Sequence, residues 1–271
     1  MSELLIRPKK NPDLDGNVIK LTPESAGWKY VGFEVYKVEQ GKTFEKESHE
    51  LEMAVVLLSG KANAVTKNQT WKNIGQRMSV FDKTAAYTIY VSSDDVIRLE
   101  ALTDLEIAVC TAPSKGTYES RLIRPEDVEV LKRGYGHLER EIHNILPGDK
   151  PADSLFIFEV FTPDGNWSSY PPHKHDEDNL PHEAYLEETY YFKTNPADSG
   201  FAIQRVYTDN RSLDEAIVVR DGDLVIVPKG YHPVSNPPGY DLYYLNVMAG
   251  PVREWKFTND RDHEWLLSKS K

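Results

Sequence analysis

The feature that most constrains this chain is the recurrence of short runs of β-branched, aromatic and aliphatic residues, each closed off by Gly, Pro, Asn or Asp. In the first half these runs are Gly32–Val38, Met53–Leu58, Tyr87–Val91 and Leu105–Thr111. In the second half they are Leu155–Phe161, Thr189–Phe192, Phe201–Tyr207, Ala216–Val219, Leu224–Val227 and Leu242–Met248. Runs of that length and punctuation read as strands. Segments with a 3.6-residue apolar period are scarce. Helix is expected only between about Pro125 and Leu146 and around His263–Leu267. The fold class is therefore all-β with minor helix.

Two clusters of strands flank a charged stretch, and 271 residues suit two domains of ordinary size. The expected division is an N-terminal β-barrel over 1–112, a connector over 113–150 and a C-terminal barrel over 151–271. The halves also rhyme. Glu52-Met-Ala-Val-Val-Leu-Leu-Ser-Gly60 is an acidic residue, a strand and a turn, and Glu188-Thr-Tyr-Tyr-Phe192 with Asn195-Pro196 repeats that outline. A tandem pair of small jelly-roll barrels accounts for both clusters.

The 32 Lys and Arg against 43 Asp and Glu give a formal net charge of −11, with no basic run. Such a balance repels phosphate backbones and anionic lipid, which argues against nucleic-acid and membrane partners. The longest apolar runs fall far short of the roughly 20 residues that span a bilayer. The opening MSELLIRPKKNPDLDG lacks an apolar signal core, so a cytoplasmic location is expected. The single cysteine, Cys110, sits in an apolar run and reads as a small core hydrophobe.

Chemistry concentrates in the second half. His173-Lys-His175 follows Tyr170-Pro-Pro172. On an extended strand, residues two apart share a face, so both imidazoles can converge on one metal ion. The intervening Lys174 should face out of the barrel. Downstream stand Glu187-Glu188, opening an aromatic strand. After them comes Gly222-Asp-Leu-Val-Ile-Val-Pro228-Lys-Gly230-Tyr-His232, followed by Asn236: a tight turn, a strand, a Pro/Gly corner and a histidine at its exit.

Together these pieces resemble the two sequence motifs of the cupin superfamily. Gly222, Pro228, Gly230, His232 and Asn236 follow the second motif, with one residue between Gly230 and His232. Gly165, His173, His175 and a glutamate follow the first, with a twelve-residue interval, 176–187, between His175 and Glu188. The resemblance implies a bicupin whose C-terminal barrel holds one divalent transition-metal ion (Zn, Mn, Fe, Ni or Co) on His173, His175, Glu188 and His232. Such a set of imidazoles and a carboxylate suits these ions. Glu188 best matches the motif, while Glu187, Glu183 and Glu177 are the other carboxylates of this stretch. The N-terminal half has His49 as its only histidine before residue 113, so no such ligand set is expected there.

A finer resemblance runs over nearly the whole chain. Pro171-Pro-His-Lys-His-Asp176, Leu186-Glu-Glu-Thr-Tyr-Tyr191, Gln204-Arg-Val-Tyr-Thr208, Val227-Pro-Lys-Gly-Tyr-His-Pro233 and Tyr240-Asp-Leu-Tyr-Tyr-Leu-Asn-Val-Met-Ala-Gly250 are similar to the 5-deoxy-glucuronate isomerases of inositol catabolism. These are relatives of the 5-keto-4-deoxyuronate isomerases. The similarity implies an aldose–ketose isomerase acting on a small sugar acid. Glu187, Tyr190 and His182 are the available types of general base. Arg205, Lys229 and Tyr244 are the candidates for binding substrate, the two cations for its carboxylate. A 5-keto-4-deoxyuronate isomerase, a cupin dioxygenase and a non-catalytic sugar-binding bicupin are the other readings. Exposed barrel edges would allow a homo-oligomer.

Overall fold

A computed structural model describes residues 2–270, with the side chains of 269 and 270 outside the description. All ten expected strands are present, with ends within a few residues of those read from sequence. The chain forms two compact units. One comprises Pro8–Glu129 and Ile145–Ile157; the other comprises the N-terminal residues to Arg7, Val130–Asn144 and the chain from Phe158 onward.

The first unit is a pair of antiparallel sheets. Its six-stranded sheet runs Arg121–Ile123, Thr88–Val91, Leu51–Ser59, Leu105–Pro113, Gly32–Val38, Asn17–Leu21. Its four-stranded sheet runs Thr43–Glu47, Val96–Ala101, Ala62–Val65, Thr70–Ile74. Alternation along Leu51–Ser59 sends Met53, Val55 and Leu57 into a core shared with Phe44, Ile97 and Leu99. Cys110 is a buried free thiol.

In the second unit the large sheet has the order Leu5–Ile6, Leu224–Val227, Glu187–Asn195, Asp241–Ala249, Phe156–Thr162, Arg140–Leu146, Glu129–Arg133. A four-stranded sheet runs Trp167–Ser168, Val234–Ser235, Ala202–Tyr207, Asp214–Val219. A two-residue strand, His173–Lys174, pairs with Thr258–Asn259.

Two expectations fail here. The stretch from Pro125 to Leu146 is not helical: it is a 3₁₀ turn followed by the strands Glu129–Arg133 and Arg140–Leu146. Gly134 and Gly136 sit at φ +88° and +53°, which breaks any helical run. The C-terminal segment Glu264–Ser270 is helical, but as a 3₁₀ helix. The expected connector is no connector either. Arg121–Ile123 completes the first unit's sheet, while Val130–Asn144 belongs to the second. Leu5–Ile6 also joins the second unit, pairing with Leu224 and Val225.

Candidate metal centre and pocket

Each histidine of the cluster is aimed by a backbone carbonyl. Gly230, at φ +88°, turns the chain so tightly that a Cβ there would lie 2.4 Å from the Tyr207 carbonyl oxygen. The corner it makes delivers His232, whose Nδ1 lies 2.8 Å from the Gly230 oxygen. His175 Nδ1 lies 3.1 Å from the Leu186 oxygen. A carbonyl only accepts, so Nδ1 of each ring carries a proton and Nε2 is the atom turned inward. Both Nε2 atoms stand 3.0 Å from the same oxygen, Glu188 Oε2. His173 completes the group, its ring packed against Phe257 with centroids 4.9 Å apart. One ligand atom from each of His173, His175 and His232 lies within 4.8 Å of the others, a spacing that could hold a metal ion.

Glu188 faces this group because strand alternation sends Glu188, Tyr190 and Phe192 to one side of Glu187–Asn195. Glu187, buried on the opposite side, points away. Asn246, across from Tyr190 in the adjoining strand, donates to Glu188 Oε1. Burial works against the Glu188 charge, but His232 and His175 outweigh it and hold its carboxyl well below the ordinary carboxylate range. Burial, together with the neighbouring His232 and His175, pushes His173 down to about 3. His175 moves the other way: burial disfavours its cation, and the Glu188 carboxylate more than offsets this.

The cluster opens into a cavity of about 430 Å³ walled by His173, Glu188, Tyr190, Tyr244, Trp255 and Phe257, among others. Tyr190 and Tyr244 pack with ring centroids 4.9 Å apart, and the Ser169 hydroxyl lies 3.0 Å and 3.4 Å from their hydroxyls. Burial, then the charge of Glu188, keeps the Tyr190 phenol protonated well past its usual range.

Other candidates lie elsewhere. His182 is exposed on the 176–187 loop. Arg205 pairs with Asp214 on the outer face of its sheet, Nη2 to Oδ2 2.8 Å, and stacks on Tyr207. Lys229 is exposed and outside the cavity. Both cations sit where water solvates them, so neither is placed to meet a ligand in the cavity. Lys174 does turn away from the histidines, but it is not solvated. It is buried, with Nζ 2.8 Å from Asp176, 3.0 Å from Glu177 and 3.0 Å from Glu183. The interval 176–187 folds back over it, which no motif spacing could announce. Asn236 is structural: its Nδ2 donates to the carbonyls of Thr162, Pro163 and Tyr240. Sequence reading missed the wall contributed by Arg133, Arg140 and Ile142, because those residues were assigned to a connector. The glycines Gly134 and Gly136, which interrupt any helical run, were the available signal.

Fold and site together define a bicupin with a buried histidine–glutamate cluster in its second barrel. Among solved structures, an IolB-like protein from Salmonella typhimurium LT2 superposes with a TM-score of 0.95 at 47% identity, covering 98% of this chain and 100% of that one. Oxalate decarboxylase from Lactobacillus farciminis shares the fold at 12% identity, with a TM-score of 0.66 and coverage of 99% and 91%. The KduI/IolB family matches residues 4–266. The 5-deoxy-glucuronate isomerase of Geobacillus thermodenitrificans is 63% identical over 98% of this chain and 97% of its own length. That of Bacillus subtilis strain 168 is 45% identical over 99% and 100%. The chain belongs to the KduI/IolB family, and the resemblance read from its motifs is borne out: it is an isomerase of the intramolecular oxidoreductase kind. Among the described residues no helix is long and apolar enough to cross a membrane.

Proposed function

We propose that the chain converts 5-deoxy-D-glucuronate to 5-dehydro-2-deoxy-D-gluconate, a metal-dependent aldose–ketose isomerisation in myo-inositol breakdown. In this reading His173, His175, Glu188 and His232 are the metal ligands and the C-terminal barrel holds the ion. The observation that carries it is the convergence of the His175 and His232 Nε2 atoms on one carboxylate oxygen in a buried cluster. The His232 Nε2 has no hydrogen-bond partner despite that 3.0 Å approach. A buried imidazole nitrogen left unpartnered beside a carboxylate is costly unless a cation joins them, and three imidazoles with one carboxylate fit a divalent transition metal.

The reaction moves the C2 proton to C1 and exchanges carbonyl and hydroxyl between O1 and O2, with no net oxidation. A bound divalent ion would act as a Lewis acid, stabilising the negative charge that develops on those oxygens. The residues around it supply position and hydrogen bonds. Asn246 fixes the Glu188 carboxylate from its far oxygen. The Tyr190 hydroxyl, kept protonated, can donate to a substrate oxygen, and Ser169 orients both tyrosines. Trp255 and Phe257 supply an apolar part of the cavity wall. Of the expected base types, Tyr190 alone reaches the cavity.

The test is metal analysis of the purified protein together with assays on 5-deoxy-glucuronate and 5-keto-4-deoxyuronate under nitrogen and in air. Equal rates with and without oxygen, and preference for the former substrate, are expected. No turnover of 5-deoxy-glucuronate, or strict dependence on oxygen, would overturn the proposal.

A further inference from the structure

A sugar acid carries a carboxylate at the end remote from its reacting carbonyl. In a chain of net charge −11, with Glu188 already inside the pocket, that group needs a cation to meet it. The two expected cations, Arg205 and Lys229, lie on the outer surface. The cavity does contain arginine, on the wall formed by the strand Arg140–Leu146.

Arg140 is half-buried, and its one protein hydrogen bond runs from Nη1 to the Leu138 carbonyl, 3.1 Å. Among the described residues no carboxylate lies within ion-pair distance of it. Four other arginines are provided for differently. Arg7 pairs with Asp223, Arg98 with Glu45 and Arg205 with Asp214. Arg77, the most buried, donates to the carbonyls of Leu57, Leu58 and Thr84. A guanidinium has five N–H donors and cannot shed its proton, so a half-buried one with a single acceptor is costly to keep. Its neighbour on the same wall, Arg133, is also a cation, which adds repulsion rather than relief. Two unpaired cations on one wall of a cavity make an anion site.

The position also suits a linear substrate. Arg140 lies beside Tyr244, whose ring packs on Tyr190, and the Tyr190 ring lies 5.8 Å from that of His232. The tyrosine pair thus separates the cation from the histidine cluster, as a carbon chain separates a terminal carboxylate from a terminal carbonyl. We infer that Arg140 binds the carboxylate of the substrate, Arg133 adding attraction at the rim; the inference rests on the isomerase reading for its ligand class. The planar fork of Arg140 meets both carboxylate oxygens, which a lysine could not do.

The test uses the metal-loaded protein and two probes that cannot isomerise. One is 5-deoxy-glucuronate reduced at C1; the other is the same molecule with CH₂OH in place of the carboxylate. Calorimetry should show the acid bound about 100-fold more weakly by Arg140→Gln than by the unmodified protein. Arg140→Lys should recover part of the loss, and the neutral polyol should bind both proteins alike. With the true substrate, the loss should fall on KM more than on kcat, with metal content unchanged. Acid binding to Arg140→Gln within threefold of the unmodified protein would overturn the inference, as would an equal loss for the neutral polyol. Absence of turnover by the unmodified protein would instead sink the isomerase reading, while the binding comparison would still decide the role of Arg140.

Discussion

His232 Nε2 stops 3.0 Å from Glu188 Oε2, yet it makes no hydrogen bond there. Its Nδ1 is engaged with the Gly230 carbonyl, 2.8 Å away, so Nε2 is the nitrogen left unpartnered beside the carboxylate. A structural histidine would turn a donor toward a buried acid. One whose nitrogen goes unpartnered there is arranged for a third, positive partner.

Replacing either member should therefore act on the metal and not on the fold. His232→Ala or Glu188→Gln should lower bound metal to a small fraction and kcat by at least about 100-fold. Circular dichroism should be unchanged, since the strands around them keep their pairing. Elemental analysis that finds full metal in either variant would show that the ligand set is wrongly drawn.

Removal of the ion gives an independent check. Dialysis against a strong chelator should abolish isomerisation, and adding back a divalent transition metal should restore it, while the melting temperature falls because bound metal stabilises the folded state by mass action. Full activity in chelated protein with no residual metal would remove the Lewis acid from the mechanism.

Legibility followed the local period of the chain. Strands such as Gly32–Val38 and Leu224–Val227 stand where their residues suggested, because a bounded apolar run fixes both length and pairing face. The candidate centre was legible because H-x-H and the Pro/Gly corner are local signals. Arg140 was not, since its strand, Arg140–Leu146, lacks a polar–apolar alternation and follows Gly134 and Gly136, which reads as a linker until the strand Phe156–Thr162 pairs with it. Nor was the fate of Lys174. Alternation placed it opposite the histidines, but whether that side meets water depends on how a distant glutamate folds back.

Arg205 offers a control on the surface. Its pair with Asp214 is half-exposed and solvated, worth little to stability and remote from the cavity. Arg205→Gln should leave kcat/KM within about twofold of the unmodified value, surface substitutions being close to neutral. A larger loss would mean that this sheet face takes part in the reaction.

Glu183 and Lys174 form the buried anchor of the 176–187 loop. Glu183 Oε1 accepts from the Asp176 and Glu177 amides as well as from Lys174 Nζ, and both side chains are nearly inaccessible. Glu183→Ala would leave a buried ammonium short of a partner, at a cost of roughly 3 kcal/mol. Urea unfolding should report that loss, and limited proteolysis should cut between residues 176 and 183. A stability within about 0.5 kcal/mol of the unmodified protein would show that Asp176 and Glu177 suffice.

Glu52, the sequence counterpart of Glu188, turns out to do a different job. It starts its strand in the same way, but Met53, Val55 and Leu57 take the interior, so its carboxylate lies on the other face. There it is fully buried, accepting from the Tyr90 hydroxyl and from the backbone amides of Asp153, Ser154 and Leu155. Four donors on one carboxylate clamp 153–155 against the first unit's sheet. Glu52→Gln replaces one acceptor oxygen with an amide that faces N–H groups, leaving buried donors unmatched at a cost of roughly 3 kcal/mol. Chemical denaturation should show that loss, while the metal content of the folded protein stays the same, because none of these groups touches the histidine cluster. If Glu52→Gln lost metal in step with stability, the carboxylate would have a role in the centre that its hydrogen bonds do not account for.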